Sequence, residues 1–282
     1  MSGGPAWRTE RWGVSAARHG LLSATSLLVL VPIAYVLVAS LKSVPEIFGN
    51  PYGLPEEWAW GNYAEAWQQA RLGVSLTNSA IVTGVAVAAS TLLSAMIAYG
   101  LSRRERSLAM ALYIVFASGL LIPVQMIVLP LFILMRDIGL LGTLMSLILP
   151  YTAMALPIGV LVLTPLFAAV PRDLGDAARI DGGNEWQVFC RVMLPVMRPG
   201  LASVVILNGV WMWNEFFVPL VIAVRPAVQT VPVGIMSFVG TYSTEWGLIF
   251  ASVVMATAPA VLAYVVMARQ FISGMTAGAV KG

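Results

Sequence analysis

Six runs of apolar residues, near 20–41, 77–101, 109–135, 144–169, 200–223 and 247–268, leave this chain few ways to fold except across a lipid bilayer. Each approaches or exceeds the ~20 helical residues needed to cross a hydrocarbon core about 30 Å thick. Inside such a core every backbone N–H and C=O must be satisfied by the protein itself, and runs of this length do that as helices. The expected fold class is therefore all-α, a polytopic membrane protein with six transmembrane helices. Composition agrees, with 59% hydrophobic and 10% charged residues, against about 25% charged in soluble domains. The first run, Leu21 to Leu41, exceeds the roughly 7–15 residues of a secretory h-region and reads as a retained helix. One cysteine, Cys190, excludes an internal disulfide framework and a multi-cysteine metal site.

Lys and Arg are retained on the cytoplasmic side of membranes, so their distribution sets an expected orientation. With the N-terminus inside, twelve fall on cytoplasmic segments: Arg8, Arg11, Arg18, Arg103, Arg104, Arg106, Arg172, Arg179, Arg191, Arg198, Arg269 and Lys281. Four fall outside: Lys42, Arg71, Arg136 and Arg225. The N-terminal segment 1–19, the loop 170–198 and the tail 269–282 are then cytoplasmic, around a membrane domain covering 20–282. The net charge of +3 expresses this asymmetry and requires no nucleic-acid partner. The outside loops, Lys42 to Thr77 and Arg225 to Trp246, are too small to form a substrate-capturing domain.

Ionisable groups inside a span are costly, and here there is one, Glu215, within Trp211–Phe217. That stretch, WMWNEFF, contains Trp211, Trp213, Asn214, Glu215 and Phe216. Aromatic faces beside an amide and a carboxylate suit a sugar, and they equally suit an interfacial aromatic belt. Gln125 and Asn208 are the other polar candidates for a pathway, with a hydrogen bond to a neighbouring helix as the alternative. Pro123, Pro130, Pro157, Pro165, Pro219 and Pro259 each remove a backbone donor, and kinks are expected there.

The segment DAARIDGGNEWQVFCRVMLP, 176–195, is charged and sharply punctuated. Asp173 reads as an N-cap, with Leu174, Ala177 and Ala178 on one narrow apolar face. Gly182 and Gly183 end that helix. Asn184 and Gln187 have capping-box spacing for a second helix, whose Trp186, Phe189, Cys190 and Met193 recur at i, i+3, i+4 and i+7. Pro195 is expected to close it. Such an elbow suits a docking element or an amphipathic pair resting on lipid, and pattern alone does not choose.

Asp176-Ala177-Ala178, then Gly182, then Val192-Met193-Leu194-Pro195 resembles the EAA loop of ABC-importer permeases, with Asp for Glu and Val for Ile. LILPY (147–151), VPRDLGDAARIDG (170–182), WNEF (213–216) and MTAGAVKG (275–282) look like the carbohydrate-importer permeases of the maltose-G-like type. The resemblance implies an ABC type I importer permease (MetI-like) fold. It further implies a heteromeric complex of two ATP-binding subunits, a second related permease and an extracytoplasmic substrate-binding protein or lipoprotein.

By that resemblance the loop forms a coupling helix seated on the ATPase. Its expected contacts are Asp176, Ala177, Ala178, Arg179, Asp181, Gly182, Gly183, Trp186, Phe189, Leu194 and Pro195. Lys281 is either a tail contact or a terminal charge. No Gly-x-x-x-x-Gly-Lys-Ser/Thr loop is present, so ATP and Mg are expected in the partner subunits and no cofactor on this chain. The expected substrate is a sugar or oligosaccharide, with another polyol-type solute such as glycerol phosphate as the alternative. An ion-coupled carrier would need a chain of titratable groups through the spans. An enzyme would need a nucleophile or metal cluster there.

Overall fold

In the computed structural model the apolar runs are helical, and the structure describes residues 10–240 and 244–279, the side chains of 10–13, 16 and 266–279 excepted. Arg8 and Lys281, and the side chains of Arg11 and Arg269, lie outside the described residues. In chain order the helices are α1 (Glu10–Ala39), α2 (Val44–Gly49), α3 (Gly61–Gln69), α4 (Leu72–Ser102), α5 (Arg106–Gly119), α6 (Val124–Asp137) and α7 (Met145–Ala168). Then come α8 (Arg172–Ile180) and α9 (Glu185–Gln187), the latter continuing through a π-helical turn, Val188–Met193, into α10 (Leu194–Val196). The remainder are α11 (Arg198–Asn214), α12 (Phe217–Ile222), α13 (Val231–Ile235) and α14 (Trp246–Ala279).

Four unbroken helical stretches are long and apolar enough to cross a membrane: Ala17–Ala39, Leu72–Ser102, Met145–Ala168 and Trp246–Val265. They match the expected first, second, fourth and sixth spans. The expected third span is not one helix. It is α5 and α6 meeting at 91°, each about 21 Å long at 1.5 Å per residue. Pro123 sits at the break as the N-cap of α6, where its missing N–H costs nothing and the residue before it is pushed out of the helical region. The expected fifth span is also interrupted. α11 stops at Asn214, Glu215 is extended (φ −66°, ψ 125°), and α12 restarts at Phe217. At its other end α11 meets the α9–α10 segment at 78°. Among the described residues six spans are reached only if each bent pair is counted as one. By contrast Pro150, Pro157 and Pro165 remain inside α7, Pro130 inside α6 and Pro259 inside α14, as membrane helices tolerate.

The chain divides into two units, residues 1–68 with 238–255, and residues 69–237 with 256–282. In the first, no residue in the apolar window of α1 is buried within the chain. The ammonium of Lys42, fully buried, donates to the Asn50 carbonyl at 2.6 Å. Asn62 Nδ2 donates to the carbonyls of Ser40 and Lys42 at 2.9 and 3.0 Å. These bonds fold the first loop back onto itself.

In the second unit α4 and α7 form the most extensive helix pair, with α11 laid against both. Small residues allow this approach: Ser90, Ser94, Ala95 and Ala98 on α4 are buried, and Gly159 of α7 sits so close that a Cβ there would lie 2.6 Å from Ser94 Cβ. Close contact between small residues is how helices gain dispersion energy in a solvent as apolar as their own side chains. Asn78 Nδ2 donates to the Ala227 and Gln229 carbonyls at 2.9 and 3.0 Å, and Ser79 Oγ accepts from the Val231 N–H at 2.9 Å. One buried cluster includes Val82, Leu147, Tyr151, Met212 and Ile222. The other joins Ala98, Leu163 and Phe167 to Val188, Phe189 and Met193 of the α9–α10 segment.

Candidate functional site: the α8–α9 elbow

The elbow forms where its sequence chemistry places it. Gly182 takes φ +84°, a left-handed conformation that glycine adopts without a Cβ penalty, and it follows the C-cap of α8. The Gly183 N–H donates to the Ala178 carbonyl at 2.9 Å, and a Cβ at Gly183 would lie 2.7 Å from that same oxygen. The capping box is present in both directions: Gln187 N–H to Asn184 Oδ1 and Asn184 N–H to Gln187 Oε1, each 2.9 Å.

Three sequence expectations need correction. The N-cap of α8 is Pro171, not Asp173, because α8 begins two residues earlier than expected, at Arg172. The inward face of α8 is Gly175, buried, with half-buried Ala178, whereas Leu174 and Ala177 are exposed. Gly175 packs tightly: a Cβ there would lie 3.1 Å from Met193 Cε, so a larger residue would push that methyl aside. Finally, Pro195 does not end the second helix. The turn before it widens to π geometry, and the helix continues to Val196. A proline ring crowds the carbonyl four residues back in an α-helix, and a π turn ahead of it relieves that register.

The two halves of the elbow therefore differ. From α9 onward, Val188, Phe189 and Met193 are buried, with Cys190 and Leu194 half-buried beside them and Pro195 exposed. Around the bend, apolar side chains are left uncovered: Leu174 is 44% exposed, Ile180 85% and Trp186 58%. Large apolar groups with no cover next to a charged turn mark a surface suited to a protein partner or to lipid.

Charged residues brace the bend. Arg179 donates from Nη1 to Asp176 Oδ1 at 2.7 Å, from Nε to Glu185 Oε1 at 2.6 Å and from Nη2 to Glu185 Oε2 at 3.2 Å. The hydrogen bonds from Arg179, with its nearby charge, hold the Glu185 carboxyl below the usual carboxylate range. The same pairing raises Arg179 further above its already high value. Tyr99, near the end of α4, donates from its hydroxyl to Glu185 Oε2 at 3.4 Å. The Arg103 guanidinium lies 5.5 Å from the Tyr99 ring centroid. Tyr99, Arg103 and Glu185 are functional candidates that reading the sequence missed, because nothing in a local pattern links positions 86 residues apart.

The pathway candidates do not converge. Glu215 Oε1 accepts from the N–H groups of Phe217 and Val218 at 2.9 and 3.1 Å, so this carboxylate caps α12. Trp211 packs on Tyr151 with ring centroids 5.7 Å apart. Asn208 is buried, its Nδ2 without a partner, and Gln125 is exposed at the start of α6. Phe216 is half-buried at the break. Trp213 and Asn214 line a largely apolar cavity of about 490 Å³ together with Gly84 and Ala88 of α4 and Pro259 and Tyr264 of α14. Among the described residues no cluster of His, Cys, Asp and Glu could hold a metal ion.

Comparison with known proteins completes the picture. Residues 90–276 match the family of binding-protein-dependent transport system inner membrane components. The diacetylchitobiose uptake system permease protein NgcG of Streptomyces coelicolor is 37% identical, over 94% of this chain and 88% of that one. The melibiose/raffinose/stachyose import permease protein MelC of Bacillus subtilis is 30% identical, over 89% and 91%. The fold is that of a chain in a bacterial ABC transporter involved in the import of alginate, at TM-score 0.78, 22% identity, and coverage of 96% and 100%. With a family match over residues 90–276 and relatives aligned over about nine-tenths of both chains, the chain belongs to the binding-protein-dependent inner-membrane transport components, as a multi-pass permease subunit and not an enzyme.

Proposed function

We propose that the chain is one of two related permeases of an ATP-driven importer of a sugar or oligosaccharide, and that the α8–α9 elbow is its coupling element. The observation that carries this reading is the split character of the elbow. Leu174, Ile180 and Trp186 are uncovered on one side, while Val188, Phe189 and Met193 on the other are built into the core shared with α4 and α7. An element exposed at one end and locked into the spans at the other is suited to receive force and pass it on.

Two ATP-binding subunits carry the ATP and Mg, and one of them seats against this surface from the cytoplasm. Both termini lie on the same side, as the Lys and Arg distribution implies. An extracytoplasmic binding protein or lipoprotein delivers substrate from the other face. ATP-driven closure of the motor pulls the elbow and switches the cavity from inward-facing to outward-facing, and hydrolysis resets it. Each ligand biases the two states by its differential affinity for them. The tail residue Lys281 is a further contact to the motor. The relatives named above carry saccharides, which favours a sugar over a glycerol phosphate or an ion-coupled carrier.

The test compares wild type with Gly182→Asp in the reconstituted complex. At φ +84° there is room for a side chain, and the left-handed backbone costs an L-residue about 1–2 kcal/mol, while the new charge enters the proposed interface. The expected result is normal membrane insertion with loss of ATPase co-purification or of substrate-stimulated hydrolysis. Full retention of both would overturn the assignment of the elbow.

A further inference from the structure

The elbow is tied to α4 through one carboxylate. Glu185 opens α9, accepts two hydrogen bonds from Arg179 across the bend, and accepts a third from Tyr99 at the end of α4. Arg179 in turn holds Asp176, one turn back on α8. A single side chain thus joins three pieces of backbone: α8, α9 and α4. The far side of the joint is anchored too. Tyr99 packs on Phe189 and Phe167 with ring centroids 5.5 and 5.8 Å apart, so its position reports on both α9–α10 and α7.

A second donor stands ready beside this joint. The Arg103 guanidinium lies over the Tyr99 ring, its Nη2 meets the sulfur of Met193 at 3.8 Å, and its buried Nε has no partner. A buried guanidinium N–H without an acceptor is costly, and a shift of the elbow that brought a carboxylate within reach would be favoured. Glu185 meets the hydroxyl of the same tyrosine, at 3.4 Å, whose ring centroid lies 5.5 Å from the Arg103 guanidinium carbon.

On the reading of the elbow as the ATPase-coupling element, we propose that Glu185 is its positioning residue, the pin that transmits elbow movement to α4, held by Arg179 in the present state and within range of Arg103 in the alternate one. The Arg179–Glu185 pair is solvent-accessible and contributes little to stability on that account. Its effect is on geometry: it makes α8 and α9 move as one piece, with Tyr99 following. Without it Gly182 and Gly183 are free to absorb the pull of the motor.

The experiment measures solute transported per ATP hydrolysed, together with ATPase-subunit affinity, in proteoliposomes holding the whole importer. The variants are Glu185→Gln, Tyr99→Phe, Arg179→Gln, and the charge swap of Arg179→Glu with Glu185→Arg. The probe is the solute that stimulates wild-type hydrolysis. The expected result is a transport-to-hydrolysis ratio lowered about three- to tenfold in each single variant, the range in which residues between two sites modulate their coupling, with ATPase affinity unchanged in Glu185→Gln and Tyr99→Phe. Arg179→Gln combined with Glu185→Gln should be no worse than either alone, and the charge swap should recover most of the ratio. A ratio unchanged in Glu185→Gln and Tyr99→Phe would overturn the proposal, because the contacts would then be surface pairs without consequence. Loss of ATPase affinity in those variants would overturn it as well, making Glu185 a docking contact. Failure of the underlying reading looks different: Gly182→Asp would then keep ATPase binding and stimulation, whatever the Glu185 variants do.

Discussion

Gly159→Ala tests whether α4 and α7 truly meet at the distance the structure shows. Carbon atoms in contact prefer about 3.5–4.0 Å, and the added methyl would lie 2.6 Å from Ser94 Cβ and 3.5 Å from Val204 Cγ1. The helices must therefore separate by about 1 Å, and a gap of that size forfeits roughly a quarter to a half of each dispersion well along the seam. Overpacking of this kind costs about 1–3 kcal/mol. For a chain of this size that corresponds to a fall of roughly 2–10 °C in the temperature of half-unfolding, measured on purified protein in detergent. The control is Ser94→Gly, which removes both the Cβ and the hydroxyl that the methyl would strike. Ser94→Gly alone carries a helix-propensity cost of about 0.5 kcal/mol and loses a long bond to the Leu156 carbonyl, 3.4 Å. Combined with Gly159→Ala it should be less damaging than the sum of the two. Additive effects, or a Gly159→Ala protein melting within about 1 °C of wild type, would refute the close approach.

Two further outcomes follow from the hydrogen bonds. Because the Glu185 pKa is depressed by Arg179, its stabilising contribution is complete above the unfolded carboxylate pKa and lost as pH falls through the lower folded one. A carbon-13 label on the Glu185 carboxyl should titrate below the free value of about 4.3, and Arg179→Gln should move it back up; titration at or above the free value in wild type would contradict the bracing geometry. Glu215→Ala should remove the cap of α12 at a cost of about 1 kcal/mol, seen as faster amide exchange at Phe217 and Val218, while Glu215→Gln keeps the acceptor and most of the protection; equal exchange in Glu215→Ala and wild type would show that the carboxylate is not the cap.

How much of this was readable in advance depended on the range of each interaction. The four unbroken membrane helices and the elbow rest on hydropathy over about 20 residues and on capping chemistry within four, and both are local. Gly182, Asn184 and Gln187 accordingly stand as their spacing predicts. The same proline rule that expects a kink at Pro157 and at Pro123 does not distinguish them. Pro157 stays within α7, while Pro123 caps the start of a new helix turned by 91°. That difference is decided by what packs around each one. Likewise Glu215, read as a candidate pathway group, turns its charge on its own backbone. The Tyr99–Glu185 contact had no local signal at all.

The π-helical turn at Val188–Met193 gives chain length itself a mechanical meaning. One residue more than an α-helical turn is stored there, and an α-helix advances about 100° per residue. Deleting one residue of the turn after Phe189 would let it relax to α geometry and leave Leu194, Pro195 and the start of α11 facing much as they do now. The same deletion within Leu194–Val196, where no residue is stored, would instead rotate everything beyond it by that angle, and Met197, now buried, would swing off the core with every side chain chemically unaltered. The interval between Gly182 and Pro195 thus holds one residue of slack, and the same lesion is mild or severe according to which side of Met193 it falls.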